Sequence, residues 1–213
     1  LAIYSPKRYN PFMDIRLSIA IFVGKLIWVI NKLTGSGGTA APGLYALKID
    51  PDLIKKLTKK LEYGNIVISG TNGKTTTSRL TAEILSSKFK VIHNRQGSNL
   101  LRGIASTIIT RSDLVGNIKE TLGIWEVDEA TVPPVIENTS PQFVLLLNLF
   151  RDQLDRYGEV DTTRAKWQKA LSRLDSKSTL ILNADDPGVA FLSRSFKGKV
   201  VYFGVEDKKI NLP

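Results

Sequence analysis

Ser69-Gly70-Thr71-Asn72-Gly73-Lys74-Thr75-Thr76-Thr77 follows a short apolar run, Ile66-Val67-Ile68, and opens a helical pattern from Thr75 to Lys88. Strand, glycine turn, helix is the setting that a phosphate-binding loop requires. Glycines at 70 and 73 let the backbone turn tightly and approach an anion with no Cβ in the way. The amides of the turn and of the first helical residues then converge on one spot, where the helix dipole also favours negative charge. Lys74 adds a mobile positive charge for the outer phosphates of a nucleotide, and the Thr75 hydroxyl is placed to ligate the Mg²⁺ that bridges them. The usual pattern is G-x-x-x-x-G-K-[ST]. Here Ile68 stands at its first glycine, leaving the shorter Gly-Thr-Asn-Gly-Lys-Thr form. The alternative is a chance glycine turn at a helix start, and the strand before and the helix after speak against it.

Outward from this loop the pattern alternates. Val91-Ile92 reads as a strand, Asn94 to Asn99 as a polar turn and Leu100 to Ile109 as a helix. Strands are expected at 122–127, 143–147, 179–182 and 200–203, with helices at 161–174 and 187–195. Between them, 131–138 reads as a short helix broken by Pro133 and Pro134. Strands alternating with helices imply an α/β fold, a mostly parallel sheet flanked by helices. Before the loop, Ile15 to Leu33 is strongly apolar but interrupted by Arg16, Lys25, Asn31 and Lys32, well short of the ~20 unbroken apolar residues of a membrane span. It reads as a docked amphipathic helix, with an interfacial membrane helix as the alternative. Gly35 to Gly43 is a glycine- and proline-rich connection, either a flexible linker or an ordered loop beside the phosphate site. Asp50-Pro51 reads as a helix start with Asp50 as N-cap, followed by the stripe Leu53, Ile54, Leu57 and Leu61.

Composition narrows the chemistry. Among 213 residues there is no cysteine and a single histidine, His93. Thiolate zinc sites, cysteine nucleophiles, a Ser-His-Asp triad and a His-x-x-x-His zinc site are therefore not expected. The formal charge of +10 suits anionic partners such as nucleotide phosphates, a pyrophosphate-bearing substrate, anionic lipid or nucleic acid, and charge alone does not choose among them. No RNA- or DNA-binding motif is present, so no nucleic-acid partner is expected.

Ligands of open parallel sheets sit beyond the carboxyl ends of the strands. Two strands end there in polar clusters: Glu126-Val127-Asp128-Glu129, and the run from Asn148 to Glu159, which contains Arg151-Asp152-Gln153-Leu154-Asp155-Arg156-Tyr157-Gly158. A carboxylate beside a phosphate loop is what the metal needs, and Glu126 is the expected ligand. Asp128 and Glu129 are expected to orient neighbours or cap the next helix. The bland reading of the second run is a surface turn of Arg–Asp pairs worth ~0–1 kcal/mol each. That reading leaves its place at the ligand edge unexplained.

The loop at 70–75, Gly97-Ser98-Asn99-Leu100, Glu126 and the 148–158 run together resemble the central ATP-binding domain of the Mur ligases. Most members have a histidine where this chain has Gln153. The glutamine form is similar to the MurT branch, the ATP-using subunits of lipid II isoglutaminyl synthase. Thr39 to Gly43 and Asn183-Ala184-Asp185-Asp186-Pro187 fit as well. The resemblance implies ATP and Mg²⁺ as cofactors. It implies nucleotide binding by Gly70, Thr71, Asn72, Gly73, Lys74, Thr75, Thr76 and Asn99. Thr75, Glu126 and Gln153 would be the metal ligands, and Lys74, Glu126 and Gln153 the catalytic residues. The implied activity is an ATP-dependent acid–amine ligation in peptidoglycan biosynthesis, amidating D-glutamate of the lipid II stem peptide through an acyl phosphate. The implied partners are a GatD-like glutaminase subunit and lipid II or a similar anionic substrate. The expected location is the cytoplasm, with peripheral contact at the inner face of the membrane as the alternative. Residues 1–50 would be a helical lead-in and connection, and 51–213 the ATP-binding domain.

Relatives of this type continue into a four-cysteine zinc ribbon and a further domain. The chain is expected to be a fragment without amidation activity of its own. Lys166 lies near the place of a carbamylated lysine in many Mur ligases, but the spacing is not a clean match, and an ordinary exposed helix lysine is the expectation. Two other readings stay open: a folylpolyglutamate or amino-acid ligase of the same superfamily, and a non-catalytic nucleotide-binding module.

Overall fold

A computed structural model describes residues 14–35, 39–95, 98–150 and 159–205. Six strands form one parallel sheet: β1 (Asn65–Ser69), β2 (Val91–His93), β3 (Leu122–Val127), β4 (Phe143–Leu146), β5 (Thr179–Asn183) and β6 (Lys199–Phe203), in the order β2-β3-β1-β4-β5-β6. Strand β1 lies between β3 and β4, with Ile68 opposite Glu126 on one side and Leu145 on the other. The chain leaves β1 toward β2 and later leaves β4 toward β5, in the opposite direction. A crevice therefore opens where β1 and β4 end, which is where a parallel sheet holds its ligand.

The period of two along the strands divides the core. Ile68, Leu122 and Ile124 face α4 (Lys74–Ser86) and pack with Ala82, Leu85 and Phe89. Val67, Trp125, Val144, Leu146, Leu180 and Leu182 face the other way. They join the core shared by α5 (Leu101–Arg111), α6 (Val132–Thr139) and α7 (Glu159–Leu171). Within it Asn65 accepts from Trp125 Nε1 at 2.8 Å and donates to Thr139 O at 3.0 Å, which satisfies the polar groups buried there.

The lead-in is part of the same core. In α1 (Ile15–Leu33), Leu17, Ala20 and Ile21 are buried with Leu53, Ile54 and Leu57 of α3 (Leu53–Thr58) and Ile108 and Ile109 of α5. Asp14 caps α1 by accepting from Leu17 N at 3.0 Å. Lys56 Nζ sits 2.7 Å from both Asp14 Oδ2 and Asp50 Oδ2, tying the start of α1 to α3.

Four sequence expectations are corrected. The connection ends at Ala40, because Ala41–Ile49 forms a helix, α2. Pro42 occupies its first turn, where a missing N–H costs nothing, and Gly43 lies where α2 crosses α5. A Cβ on Gly43 would come within 2.0 Å of Arg102 O, so glycine serves close packing here and does not break the helix. Asp50 is the C-cap of α2, and Asp52 precedes α3 as its N-cap. The Asp50 carboxylate still accepts from Asp52 N, in a turn, at 3.1 Å. Pro133 and Pro134 open α6 after a 3-10 turn at Glu129–Thr131 and do not break it. The expected helix over 187–195 divides into α8 (Pro187–Ala190) and a 3-10 segment, Phe191–Ser195.

Candidate nucleotide-binding site

The loop between β1 and α4 turns through two glycines at positive φ, Gly70 at 150° and Gly73 at 82°. A Cβ on Gly70 would approach Leu147 Cβ to 2.9 Å and Asn148 N to 3.0 Å, so a larger residue would push the loop off β4. Ile68, at the place of the pattern's first glycine, is a fully buried strand residue. The strand runs on to Ser69, so the loop begins at Gly70, and α4 starts at Lys74.

The end of β4 clamps the loop. Asn148 Oδ1 accepts from Asn72 N at 2.8 Å, and Asn148 Nδ2 donates to Asn72 O at 3.1 Å. Thr71 N donates to Asn148 O at 3.1 Å, and Phe150 N donates to Thr71 Oγ1 at 3.0 Å. Behind this, buried Asp186 accepts from Leu149 N at 2.8 Å and from Val189 N at 3.0 Å, holding the exit of β4 against α8. Among the described residues the amides of Gly73, Lys74 and Thr75 at the helix start donate no hydrogen bond, and Asn72, Thr75 and Thr76 are exposed.

Glu126 is the hub. It sits at the end of β3, buried at 5% exposure. Its Oε1 accepts from Thr75 Oγ1 at 2.7 Å and from Asn99 Nδ2 at 2.9 Å, and its Oε2 accepts from Ser78 Oγ at 2.8 Å. Its backbone is fixed by Asn94, which donates to Glu126 O at 2.8 Å and accepts from Glu126 N at 2.9 Å. Lys74 Nζ curls over the loop, donating to Gly70 O at 2.6 Å and Thr71 O at 3.2 Å, with Glu129 at 3.5 Å. Trp167 Nε1 donates to Glu129 O at 2.8 Å and fixes that turn from α7.

The structure thus brings Lys74, Thr75, Asn99 and Glu126 together, with Gly70 to Gly73 and Thr76 alongside. Gln153 and the rest of 151–158 lie outside the described residues, as does Gly97. Asp128 precedes the 3-10 turn without a side-chain cap bond, whereas Glu129 does orient a neighbour, Lys74. Lys166 is an exposed residue of α7, in a cleft it shares with Pro134, Glu137, Lys169 and Arg173. Sequence reading missed Ser78, Asn94 and the clamping role of Asn148. Ser78 carried a signal, since three residues beyond Thr75 on a helix share its face. Asn94 did not, because its role depends on β2 lying beside β3.

His93, at the end of β2, is half-buried, and its Nε2 has no hydrogen-bond partner among the described residues. Burial holds its pKa below the ordinary value; Glu126 opposes this, while Arg95 and Arg79 add to it.

The donor set suits Mg²⁺. A hydroxyl and a carboxylate oxygen are hard ligands, and the Thr75 Oγ1 to Glu126 Oε1 separation of 2.7 Å is close to the edge of an Mg²⁺ octahedron. That edge is about 2.9 Å for bonds of about 2.05 Å. Among the described residues no three His, Cys, Asp or Glu side chains gather as a complete metal cage. Two protein ligands supplemented by phosphate oxygens and water is the usual arrangement for Mg²⁺.

Comparison with known proteins agrees with this geometry. The Mur ligase middle domain family matches residues 68–212. The chain is 37% identical over 188 residues to the MurT subunit of the glutamine-hydrolysing lipid II isoglutaminyl synthase of Staphylococcus aureus strain COL, covering 88% of this chain and 41% of that protein. It is 32% identical over 199 residues to the MurT subunit from Streptococcus pneumoniae, covering 92% of this chain and 42% of that protein. The chain thus spans about two fifths of the length of these relatives. Among solved structures, MurF of Acinetobacter baumannii superimposes with a TM-score of 0.61 at 20% identity, over 76% of this chain and 35% of that one. A MurF ligase from Thermotoga maritima in complex with ADP gives 0.60 at 16% identity, over 76% and 37%. The fold, the loop at 70–75 and the family match lead to one conclusion: the chain belongs to the Mur ligase family.

Proposed function

We propose that this chain is the ATP-binding part of a carboxylate–amine ligase that amidates the α-carboxyl of D-glutamate in the lipid II stem peptide, using ammonia from a glutaminase subunit of the GatD type. Residues 51–213 form the ATP-binding domain in this reading, and 1–50 its helical lead-in. The observation that carries it is the convergence of Thr75, Ser78 and Asn99 on buried Glu126 beside the glycine loop. Similarity to two MurT subunits supports the choice of substrate and partner.

The reaction requires two anions, a carboxylate and the γ-phosphoryl group, to meet. The amides at the start of α4 bind the phosphates, and Lys74 swings from the carbonyls of Gly70 and Thr71 to the outer phosphate oxygens. Glu129, 3.5 Å from Lys74 Nζ, holds that side chain near the loop. Thr75 and Glu126 would hold Mg²⁺, with Gln153 as a weaker amide-oxygen ligand. When bound, the ion would neutralise charge on the bridging phosphates. The substrate carboxylate oxygen attacks the γ-phosphorus, the bond to the ADP oxygen breaks, and an acyl phosphate forms. Ammonia then attacks the acyl carbon, inorganic phosphate leaves with its electron pair, and the nitrogen loses a proton to give the amide.

The test is ATP turnover and lipid II amidation by the full-length protein with and without its glutaminase. Amidation that requires ATP and both subunits supports the reading. ATP-dependent glutamylation of a folate, or nucleotide binding without turnover, would replace it.

A further inference from the structure

Helix α1 carries two apolar stripes on opposite sides. At 100° per residue, Leu17, Ala20, Ile21 and Gly24 share the buried side. The opposite side carries Ile15, Ile19, Phe22, Leu26, Ile30 and Leu33, each between 48% and 81% exposed, with Val29 beside them at 43%. A helix that packs on one side and remains apolar on the other has a second non-aqueous neighbour. Helix α2, which packs on α1, also exposes Leu44 and Tyr45, at 38% and 48%.

The charge around the patch identifies that neighbour. Arg16 flanks one edge of the stripe, and Lys25 and Lys32 the other, while neither α1 nor α2 contains a carboxylate. On α2, Lys48 Nζ lies 5.4 Å from the ring centre of Tyr45; on α1, Lys32 Nζ lies 5.3 Å from the ring centre of Trp28, which follows Leu17, Ile21 and Gly24 along the packed side. Cationic side chains along both edges of an apolar strip are the pattern of a helix lying at headgroup depth. A second copy of this chain would bring like-charged flanks together. Among the described residues no helix is long and apolar enough to cross a membrane, so the contact lies in the plane of the surface.

We infer that the outer face of α1, together with Leu44 and Tyr45 of α2, docks the protein on an anionic lipid surface. The apolar stripe enters the interface over the ~28 Å length of the helix, and Arg16, Lys25, Lys32 and Lys48 meet the headgroups. This rests on α1 and α2 alone and does not require the ligase reading. Nucleotide affinity is the control that separates the two.

The experiment is flotation of the purified protein with vesicles of phosphatidylglycerol or of phosphatidylcholine. Expected is binding to the anionic vesicles that weakens with salt, falls at least tenfold in the double variant Phe22→Ser, Leu26→Ser, and falls about threefold or more in Lys32→Gln, Lys48→Gln. Both variants should keep the wild-type nucleotide affinity. No binding to phosphatidylglycerol, or equal binding by the Phe22/Leu26 variant, overturns the inference. Two further results would also overturn it by assigning the face elsewhere. One is a vesicle-free dimer that the Phe22/Leu26 variant disperses. The other is a Leu26→Cys variant that maleimide cannot label in vesicle-free protein, since the face would then be covered by another part of the protein.

Discussion

The Thr75 hydroxyl lies 2.7 Å from Glu126 Oε1, joining the first turn of α4 to the end of β3 through the two oxygens proposed to share one Mg²⁺. Strand β1 brings them together, because it pairs with β3 in a register that sets Ile68 opposite Glu126. The loop therefore leaves β1 level with the carboxylate.

Glu126→Gln should separate chemistry from stability. Thr75 and Ser78 are hydroxyl rotors and can turn to accept from an amide, so melting should reveal a loss of about 1 kcal/mol or less. Mg²⁺-dependent ATP turnover in the full-length enzyme should fall at least 100-fold, about 2.7 kcal/mol in the barrier. Gln153→Ala should fall much less, because a neutral amide oxygen holds Mg²⁺ weakly. Equal losses in the two variants would contradict the assignment of Glu126 as the principal ligand.

Lys74→Ala should weaken ATP binding ten- to hundredfold in calorimetry, the range of one charge-assisted hydrogen bond of about 1.5–3 kcal/mol. The melting temperature should change little, since the bonds of Lys74 to Gly70 O and Thr71 O lie in a part-buried, solvent-reached setting. Unchanged nucleotide affinity would remove Lys74 from the site.

Gly43→Ala tests the packing of α2. The added methyl would meet Arg102 O at 2.0 Å and Ser106 N at 2.7 Å, both backbone atoms that cannot rotate away. The Gly43 N to Ser106 Oγ bond of 2.8 Å would be strained at the same time. A loss of about 2–3 kcal/mol is expected in urea unfolding. A variant as stable as wild type would show that α2 does not sit this close to α5.

His93 gives a pH dependence whose sign is fixed by burial. Its native pKa lies below the ordinary histidine value of 6.5. Below that value the unfolded chain takes up a proton that the native protein does not, so stability rises with pH in this window. The contribution is present above pH 6.5 and is lost as pH falls through the lowered native value. His93→Gln should lose less stability than wild type between pH 7.5 and pH 5.5 in parallel urea titrations. Identical slopes would show that the imidazole is solvated.

The sequence by itself determined the local elements and the chemistry they carry. Glycines at 70 and 73 before Lys74 and Thr75 specify a phosphate loop, and apolar runs between helical patterns specify a parallel sheet, because backbone sterics and periodicity act over a few residues. Glu126 was legible as a carboxylate at a strand end. Tertiary structure decided what surrounds it. Ser78 reaches Glu126 from α4, Asn94 and Asn99 reach it from the connection between β2 and α5, and Asn148 meets Asn72 across 76 positions of chain. Helix α2 was hidden for the same reason. Pro42 and Gly43 read locally as breakers, and only the close approach of α5 shows why a helix needs them there. Contacts of this kind are set by which strands are neighbours, and no short window of sequence contains that information.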